Sequence, residues 1–231
     1  MIIEDKNLHN KYYIFESRRH AGFTLGSFCA LEEFDVLYII PSGGVPVGLG
    51  ILEFPLVPVN KIFDLIIVRK IQIPGSTEAG MGAVTPEGQI FLNERLISQL
   101  SVSNYELEQQ IERTKQQIEK RRREFQLAIT STQVYGKTVL LVDDGIASGF
   151  SMLASAKWLQ RKGAEKVIIA VPTAPISSIK HIEPQVSKII CLNVRDRYPF
   201  AVADAYKDWY DLDFNETNHY LKEIRMLQQI S

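Results

Sequence analysis

Little in this chain could staple it together or cage a metal. Its two cysteines, Cys29 and Cys191, stand far apart in separate apolar contexts with no CxxC spacing. That excludes a disulfide framework and a cysteine-ligated zinc site, and both read as buried free thiols of a reducing cytosol. The four histidines, His9, His20, His181 and His219, are scattered without the spacing of metal ligands. No apolar run is long enough to span a bilayer, and the opening MIIEDKNLHNKYYIF alternates charged with apolar residues instead of forming the apolar core of a secretion signal. A cytoplasmic location is therefore the expectation. No sign of charge dominates: 26 Lys and Arg face 27 Asp and Glu, for a net charge of -1. Such a balance gives no global preference for nucleic acid or membrane, so any basic chemistry must be local. Internal repeats, low-complexity linkers and a GxxxxGK[ST] phosphate loop are all missing.

What is present is enough apolar material for a sizeable core. With 231 residues, 45% of them hydrophobic, the chain suits one α/β domain carrying an insertion, and a chain of that size buries about 70% of its unfolded surface. Short Val/Ile/Leu runs recur as VLYII, FDLIIV, QIFL, TVLLV, KVIIAV and KIICL. Between most of them lie helical patterns: Phe15, Leu25 and Phe28 at helical spacing, a Gly-rich turn into a helix after Pro41, and SMLASAKWLQRKG ended by Gly163. Continuous apolar strands separated by helices indicate a mainly parallel sheet covered on both faces. A long polar helix starts near Ser103, with a capping box to Glu106 and a narrow apolar stripe through Leu107, Ile111, Ile118 and Phe125. The stretch RKIQIPGSTEAGMGAVTPEG reads as a long loop. On the long helix, the basic run Lys120 to Arg123 has Glu119 and Glu124 as i,i+4 partners for Arg123 and Lys120, which makes a solvated helical face the expected reading.

In a sheet of this kind ligands bind beyond the carboxyl ends of the strands, and three strand ends are chemically loaded. IIPSGGVPVG turns the chain at Ser42, Gly43 and Gly44, where glycines allow backbone N–H groups to aim at an anion, although a plain tight turn reads equally well. LIIVRK stops on Arg69 and Lys70, whose side chains point to opposite faces of an extended segment, so that at least one faces a ligand above the sheet edge unless both are solvated. VLLVDDGIASG, residues 139 to 149, runs a buried strand into two adjacent carboxylates and then into small residues. Two like charges side by side require a cation or hydrogen-bonding hydroxyls. The small residues that follow precede a helix whose free N–H groups and dipole favour a phosphate. Acceptors for a polyol at one end and donors for a phosphate at the other describe a sugar phosphate.

VLLVDDGIASGFS closely resembles the phosphoribosyl pyrophosphate (PRPP) motif of the type I phosphoribosyltransferases. FESRRHAGFTLG, IPSGGVPVG, FDLIIVRK, PGSTEAGMGAV, LNERLI and DWYDLDF resemble, in order and over nearly the whole chain, segments of an uncharacterised phosphoribosyltransferase-like subfamily. The resemblance implies that fold class: α/β, a mainly parallel central sheet with helices on both faces, a flexible loop, a long inserted helix and a small hood. It implies one domain over residues 1–231, with the loop and long-helix insertion at about 72–134 and the hood or extension at about 195–231. The activity implied is Mg²⁺-dependent phosphoribosyl transfer from PRPP to an unidentified nitrogenous acceptor with release of pyrophosphate. A non-catalytic PRPP or nucleotide-binding regulator on the same fold is the alternative.

Residue by residue, the resemblance assigns Asp143 and Asp144 to the ribose hydroxyls, directly or through Mg²⁺-bound water. It assigns Ala147, Ser148, Gly149, Phe150 and Ser151 to the 5-phosphate. Ser42, Gly43, Gly44, Arg69 and Lys70 fall to the pyrophosphate, and Asp143, Asp144, Arg69 and Lys70 are counted as the catalytic residues. The segment from Gln72 to Gly88 takes the place of a mobile lid. Three positions depart from the pattern: Ser42 stands where relatives of the subfamily usually carry Arg, Ala147 where hypoxanthine-guanine enzymes have an Asp that contacts the purine, and Phe150 where a smaller residue is usual. For the acceptor, Tyr198, Phe200, Trp209 and Tyr210 offer rings to stack on, and ordinary packing explains the same aromatics. Neither nucleic acid nor membrane is implied as a partner. A homodimer is a family expectation, with the stripe of the long helix as a candidate interface.

Overall fold

A computed structural model of the chain describes residues 1–58, 62–75, 80–125 and 133–229. Six strands form a fully parallel sheet: β1 (Ile2–Ile3), β2 (Val36–Ile39), β3 (Ile62–Leu65), β7 (Thr138–Val142), β8 (Lys166–Pro175) and β9 (Lys188–Arg195), in the spatial order β1-β9-β8-β7-β2-β3. A separate antiparallel sheet contains β4 (Arg69–Gln72), β5 (Gly80–Val84) and β6 (Ile90–Leu92).

Strand alternation divides the core into two layers. Leu37, Ile39, Leu140, Val142, Ile168 and Ala170 face one side, against α1 (Arg18–Cys29), α2 (Gly44–Glu53) and α7 (Phe214–Gln229). Val36, Tyr38, Val139, Leu141, Val167 and Ile169 face the other, against α5 (Phe150–Arg161) and α6 (Ile176–Ile182). The helix α2 is apolar all round and buried at every residue from Gly44 to Leu52, as a helix wedged between a sheet and other helices must be. Its contact with α1 is backbone to backbone: a Cβ at Gly22 would lie 2.1 Å from the Val47 carbonyl oxygen.

The strand order has one reversal. From β2 the chain steps to β3 on one side, and from β7 it steps through β8 to β9 on the other. The crevice outside the carboxyl ends of β2 and β7 is therefore the topological switch point, the place where such sheets bind ligands. Both turns singled out in the sequence, Pro41–Gly44 and Asp143–Ser151, begin there.

Several sequence expectations change. The loop expected over residues 69–88 contains β4 and β5; Gly80 and Gly82 hide the strand pattern, and Gly82 is required because a Cβ there would sit 2.4 Å from the Phe91 carbonyl of β6. Of the expected lid from Gln72 to Gly88, residues 76–79 lie outside the described residues. The strand expected through FDLIIV stops at Leu65. Further elements, β1, α3 (Glu94–Gln99), α6 and α7, have patterns too short or too polar to have been read. The long helix α4 (Asn104–Glu124) carries the capping box of Ser103 and Glu106. Its stripe packs within the chain, Ile111, Ile118 and Phe125 sharing one core with Ile71, Met81 and Val84 of the small sheet. An apolar face covered in this way is no longer a candidate dimer interface. Both cysteines are buried and free. Among the described residues no helix is long and apolar enough to cross a membrane.

Candidate active site at the sheet switch point

Parallel pairing in register, Ile39 opposite Val142, makes the chain leave β2 and β7 side by side. Gly43 then lies so close to the acid pair that a Cβ on it would stand 1.9 Å from Asp144 Oδ2. Gly44 backs the same turn, with Asp143 Cα 3.0 Å from where its Cβ would be. Over these turns opens a cavity of about 730 Å³. Its walls include Ser42, Gly43, Lys70, both aspartates and every residue from Gly145 to Met152.

The carboxylates are recessed and strained electrostatically. Burial raises the Asp143 carboxyl well above its ordinary value, and the charge of Asp144 raises it further. Burial also raises Asp144, while the guanidinium of Arg18 pulls it back. Arg18 Nε donates to Asp144 Oδ2 at 2.8 Å, Nη1 donates to the Tyr210 carbonyl at 2.9 Å, and the guanidinium lies 3.9 Å from the ring centroid of Trp209. The Tyr206 hydroxyl donates to the Asp144 backbone carbonyl, and burial pushes that phenol upward. Asp144 is thus held by a cation, whereas Asp143 has an adjacent carboxylate and, among the described residues, no such neutralising bond.

Beyond the acids the chain turns through Ala147 and Ser148, both exposed, to Gly149 at φ +86°, a left-handed conformation suited to glycine. The turn is anchored from behind: Ile146 N–H donates to the Thr173 carbonyl at 3.0 Å, and Ser178 Oγ donates to the Ala147 carbonyl at 2.6 Å. Gly149 is the N-cap of α5 and no side chain caps that end among the described residues. The first N–H groups of α5, from Phe150 and Ser151 onward, therefore meet the cavity with the positive end of the helix dipole behind them.

Arg69 and Lys70, expected to end the strand through FDLIIV, instead open β4, and they separate. Lys70 lines the main cavity; Arg69 lines a smaller one of about 320 Å³ with Gln117, Lys120, Arg121 and Glu124. Burial and then the neighbouring Arg121 charge lower the Arg69 pKa, and its Nη2 is 3.4 Å from Gln117 Oε1. Pleating alone explains the split, since successive side chains on β4 point to opposite faces.

Two cations of the cavity, Arg18 and Arg121, escaped the sequence reading. Arg18 follows the N-cap Ser17 of α1 and is 126 positions from its carboxylate partner, so no local pattern announces it. Arg121 belongs to the basic run expected to be solvated. Lys120 does face Glu124, at 3.8 Å, but Glu119 pairs with Arg122 instead of Arg123. Arg121 turns inward, lines the main cavity and donates to Ser42 Oγ at 2.8 Å. Of the four aromatics considered for an acceptor, Trp209 lines the cavity; Tyr198 is 96% exposed, Phe200 lies beside Arg195, and Tyr210 contributes its carbonyl. Val202, Asp211 and Leu212 complete that wall.

Among the described residues no group of three or more His, Cys, Asp or Glu is placed to hold a metal. Two adjacent carboxylates with elevated pKa do suit Mg²⁺, which keeps several waters and commonly binds one or two carboxylates together with ligand phosphates.

A family model described as phosphoribosyl transferase domain matches residues 87–207, which is more than half of the chain. Two Mycobacterium tuberculosis proteins, from strains CDC 1551 / Oshkosh and ATCC 25618 / H37Rv, carry the name Putative phosphoribosyl transferase and are each 27% identical over 212 residues, 90% of this chain. The match takes in 46% of each, so the chain spans about half the length of these relatives. The crystal structure of the protein TT1426 from Thermus thermophilus is 27% identical, covers 90% of this chain and 98% of its own, and superposes with a TM-score of 0.71.

Proposed function

This chain belongs to the phosphoribosyl transferase domain family, and on that premise we propose that it binds PRPP at the switch-point cavity and transfers the phosphoribosyl group to a nitrogenous acceptor, releasing pyrophosphate. One observation carries the reading: Gly43, the Asp143–Asp144 pair and the uncapped start of α5 meet in a single cavity that also receives Lys70. The carboxylates accept from the ribose 2- and 3-hydroxyls. The N–H groups of Ala147 to Ser151, with the hydroxyls of Ser148 and Ser151, hold the 5-phosphate. Ser42, Gly43 and Lys70 take the pyrophosphate.

In the transfer, the bond from ribose C1 to the pyrophosphate oxygen breaks and its electron pair leaves with pyrophosphate. An acceptor nitrogen forms the new bond to C1 and gives up a proton. Positive charge builds on the ribose as negative charge grows on the leaving group, so fixed donors at both ends lower the barrier without reorganising. Correct positioning alone is worth roughly 7 to 11 kcal/mol in favourable intramolecular cases. Asp143 and Asp144 would hold Mg²⁺, which would supply charge neutralisation of the phosphates when bound. Trp209, with Val202 and Leu212, provides an apolar wall for a planar acceptor.

The test is incubation with PRPP and Mg²⁺ against a panel of bases, amines and water while pyrophosphate release is followed. Release dependent on one acceptor establishes the transferase. PRPP binding without release under every condition assigns the chain to the non-catalytic regulators, and absence of PRPP binding removes the reading altogether.

A further inference from the structure

The turn after β2 brings a neutral hydroxyl, that of Ser42, to the wall of the main cavity. The inserted helix supplies the charge. Arg121, in the last turn of α4, reaches across 79 positions of sequence to donate from Nη1 to Ser42 Oγ at 2.8 Å. Its neighbours in the basic run are committed elsewhere, Lys120 to Glu124 and Arg122 to Glu119. Among the described residues no carboxylate forms a salt bridge with Arg121; its charge is felt by the neighbouring cation Arg69, and Glu124 and Asp213 line the smaller cavity beside both. A half-buried guanidinium on a cavity wall, with a like charge nearby and no salt bridge to a carboxylate among the described residues, is suited to an anion. Because Ser42 accepts from Arg121, its own hydroxyl proton stays available for the same anion.

We propose that Arg121 and Ser42 form one composite anion-binding unit for the pyrophosphate moiety of the bound sugar phosphate, so that the inserted helix and not the strand turn provides the guanidinium. The proposal rests on the phosphoribosyl reading above for the identity of the ligand. It also gives α4 a role: packed on β4 and β5 through Ile111 and Ile118, the helix fixes how far Arg121 reaches.

The experiment is calorimetric titration of the whole chain with Mg²⁺-pyrophosphate and, separately, with ribose 5-phosphate, for wild type, Arg121→Ala, Arg121→Lys and the double variant Arg121→Ala/Ser42→Arg. Removing a charged donor from a phosphate is expected to weaken pyrophosphate binding roughly 10- to 100-fold, to leave ribose 5-phosphate binding within about twofold, and to recover partly in Arg121→Lys and in the double variant, where charge returns from the turn itself. Ribose 5-phosphate binding by each variant doubles as the control for folding. Unchanged pyrophosphate affinity in Arg121→Ala overturns the proposal. So does equal loss of both ligands without recovery by the double variant, since that is what a merely structural role produces. If the wild type binds pyrophosphate through Arg121 but ignores ribose 5-phosphate, the anion unit stands and the phosphoribosyl reading falls.

Discussion

Arg18 Nε meets Asp144 Oδ2 at 2.8 Å, the first helix of the fold holding one carboxylate of a pair that sits at the end of its central strand. The side chains keep only 7% and 16% of their surface exposed. Removing one partner of such a pair leaves an uncompensated charge in a recessed site. Arg18→Met is expected to destabilise the fold by about 3 kcal/mol, and Arg18→Met/Asp144→Asn by clearly less than the sum of the two single changes. Urea denaturation of the four proteins measures the coupling. Additive losses would mean that the contact with Asp144 contributes nothing and that Arg18 acts through its stacking on Trp209 and its bond to the Tyr210 carbonyl.

Asp143 carries the opposite balance. Its carboxyl is raised by burial and by the adjacent Asp144, with no cation bonded to it among the described residues. A group placed for ligand binding at the expense of the empty fold should be improved for stability by neutralisation. Asp143→Asn is expected to stabilise the ligand-free protein by about 0.5 to 2 kcal/mol while weakening PRPP binding in the presence of Mg²⁺. Thermal melts and titration calorimetry on the same preparation check both halves, and a variant both less stable and unchanged in affinity contradicts the assignment.

The acid pair and the small-residue turn were legible because the chemistry is local. A strand, two carboxylates and a helix start fall within one short stretch of consecutive residues, and like charges beside one another demand an explanation whatever the fold. The parallel sheet was legible for a similar reason, since buried strands read as continuous Val/Ile/Leu runs. Arg18 was not, because only tertiary structure brings it across 126 positions to Asp144. Arg121 was misplaced on a solvated face because the i,i+4 rule pairs charges along one helix and cannot see the Ser42 hydroxyl approaching from another element. The small sheet was missed where Gly80 and Gly82 stand, residues that weaken strand propensity; at Gly82 the neighbouring strand comes too close for a Cβ.

His9 bridges the N-terminal segment and the residue that follows β9. His9 Nδ1 lies 3.0 Å from Glu4 Oε2 and Nε2 lies 3.5 Å from Asp196 Oδ2. The hydrogen bond with Glu4, chiefly, raises the His9 pKa above 6.5. A base whose folded pKa is raised stabilises fully below its unfolded value and loses that contribution as pH climbs through the folded value. Relative to His9→Gln, wild type should therefore protect the backbone amides around Asn10 and Asp196 best below pH 6.5, the difference fading as pH climbs through the raised folded value. Hydrogen exchange at several pH values reads this directly. A difference independent of pH would show that His9 acts through packing.

Lys70 and Arg69 are neighbours in sequence with different expected consequences. Lys70 lines the main cavity, while Arg69 lies in the adjoining smaller one, 3.4 Å from Gln117. A cation poised where the leaving group gains charge contributes to the transition state more than to the ground state. Lys70→Met is thus expected to lower kcat/KM for PRPP about 100-fold, chiefly through kcat. Arg69→Met is expected to change it less than about threefold, because its charge stands behind Arg121 and not on the cavity wall, where fixed donors have their effect. Steady-state kinetics with whichever acceptor supports pyrophosphate release separates the two. Equal losses would mean that the two cavities merge once ligand binds; a dominant loss in Arg69→Met would move the leaving group to the smaller cavity and displace Lys70 from the mechanism.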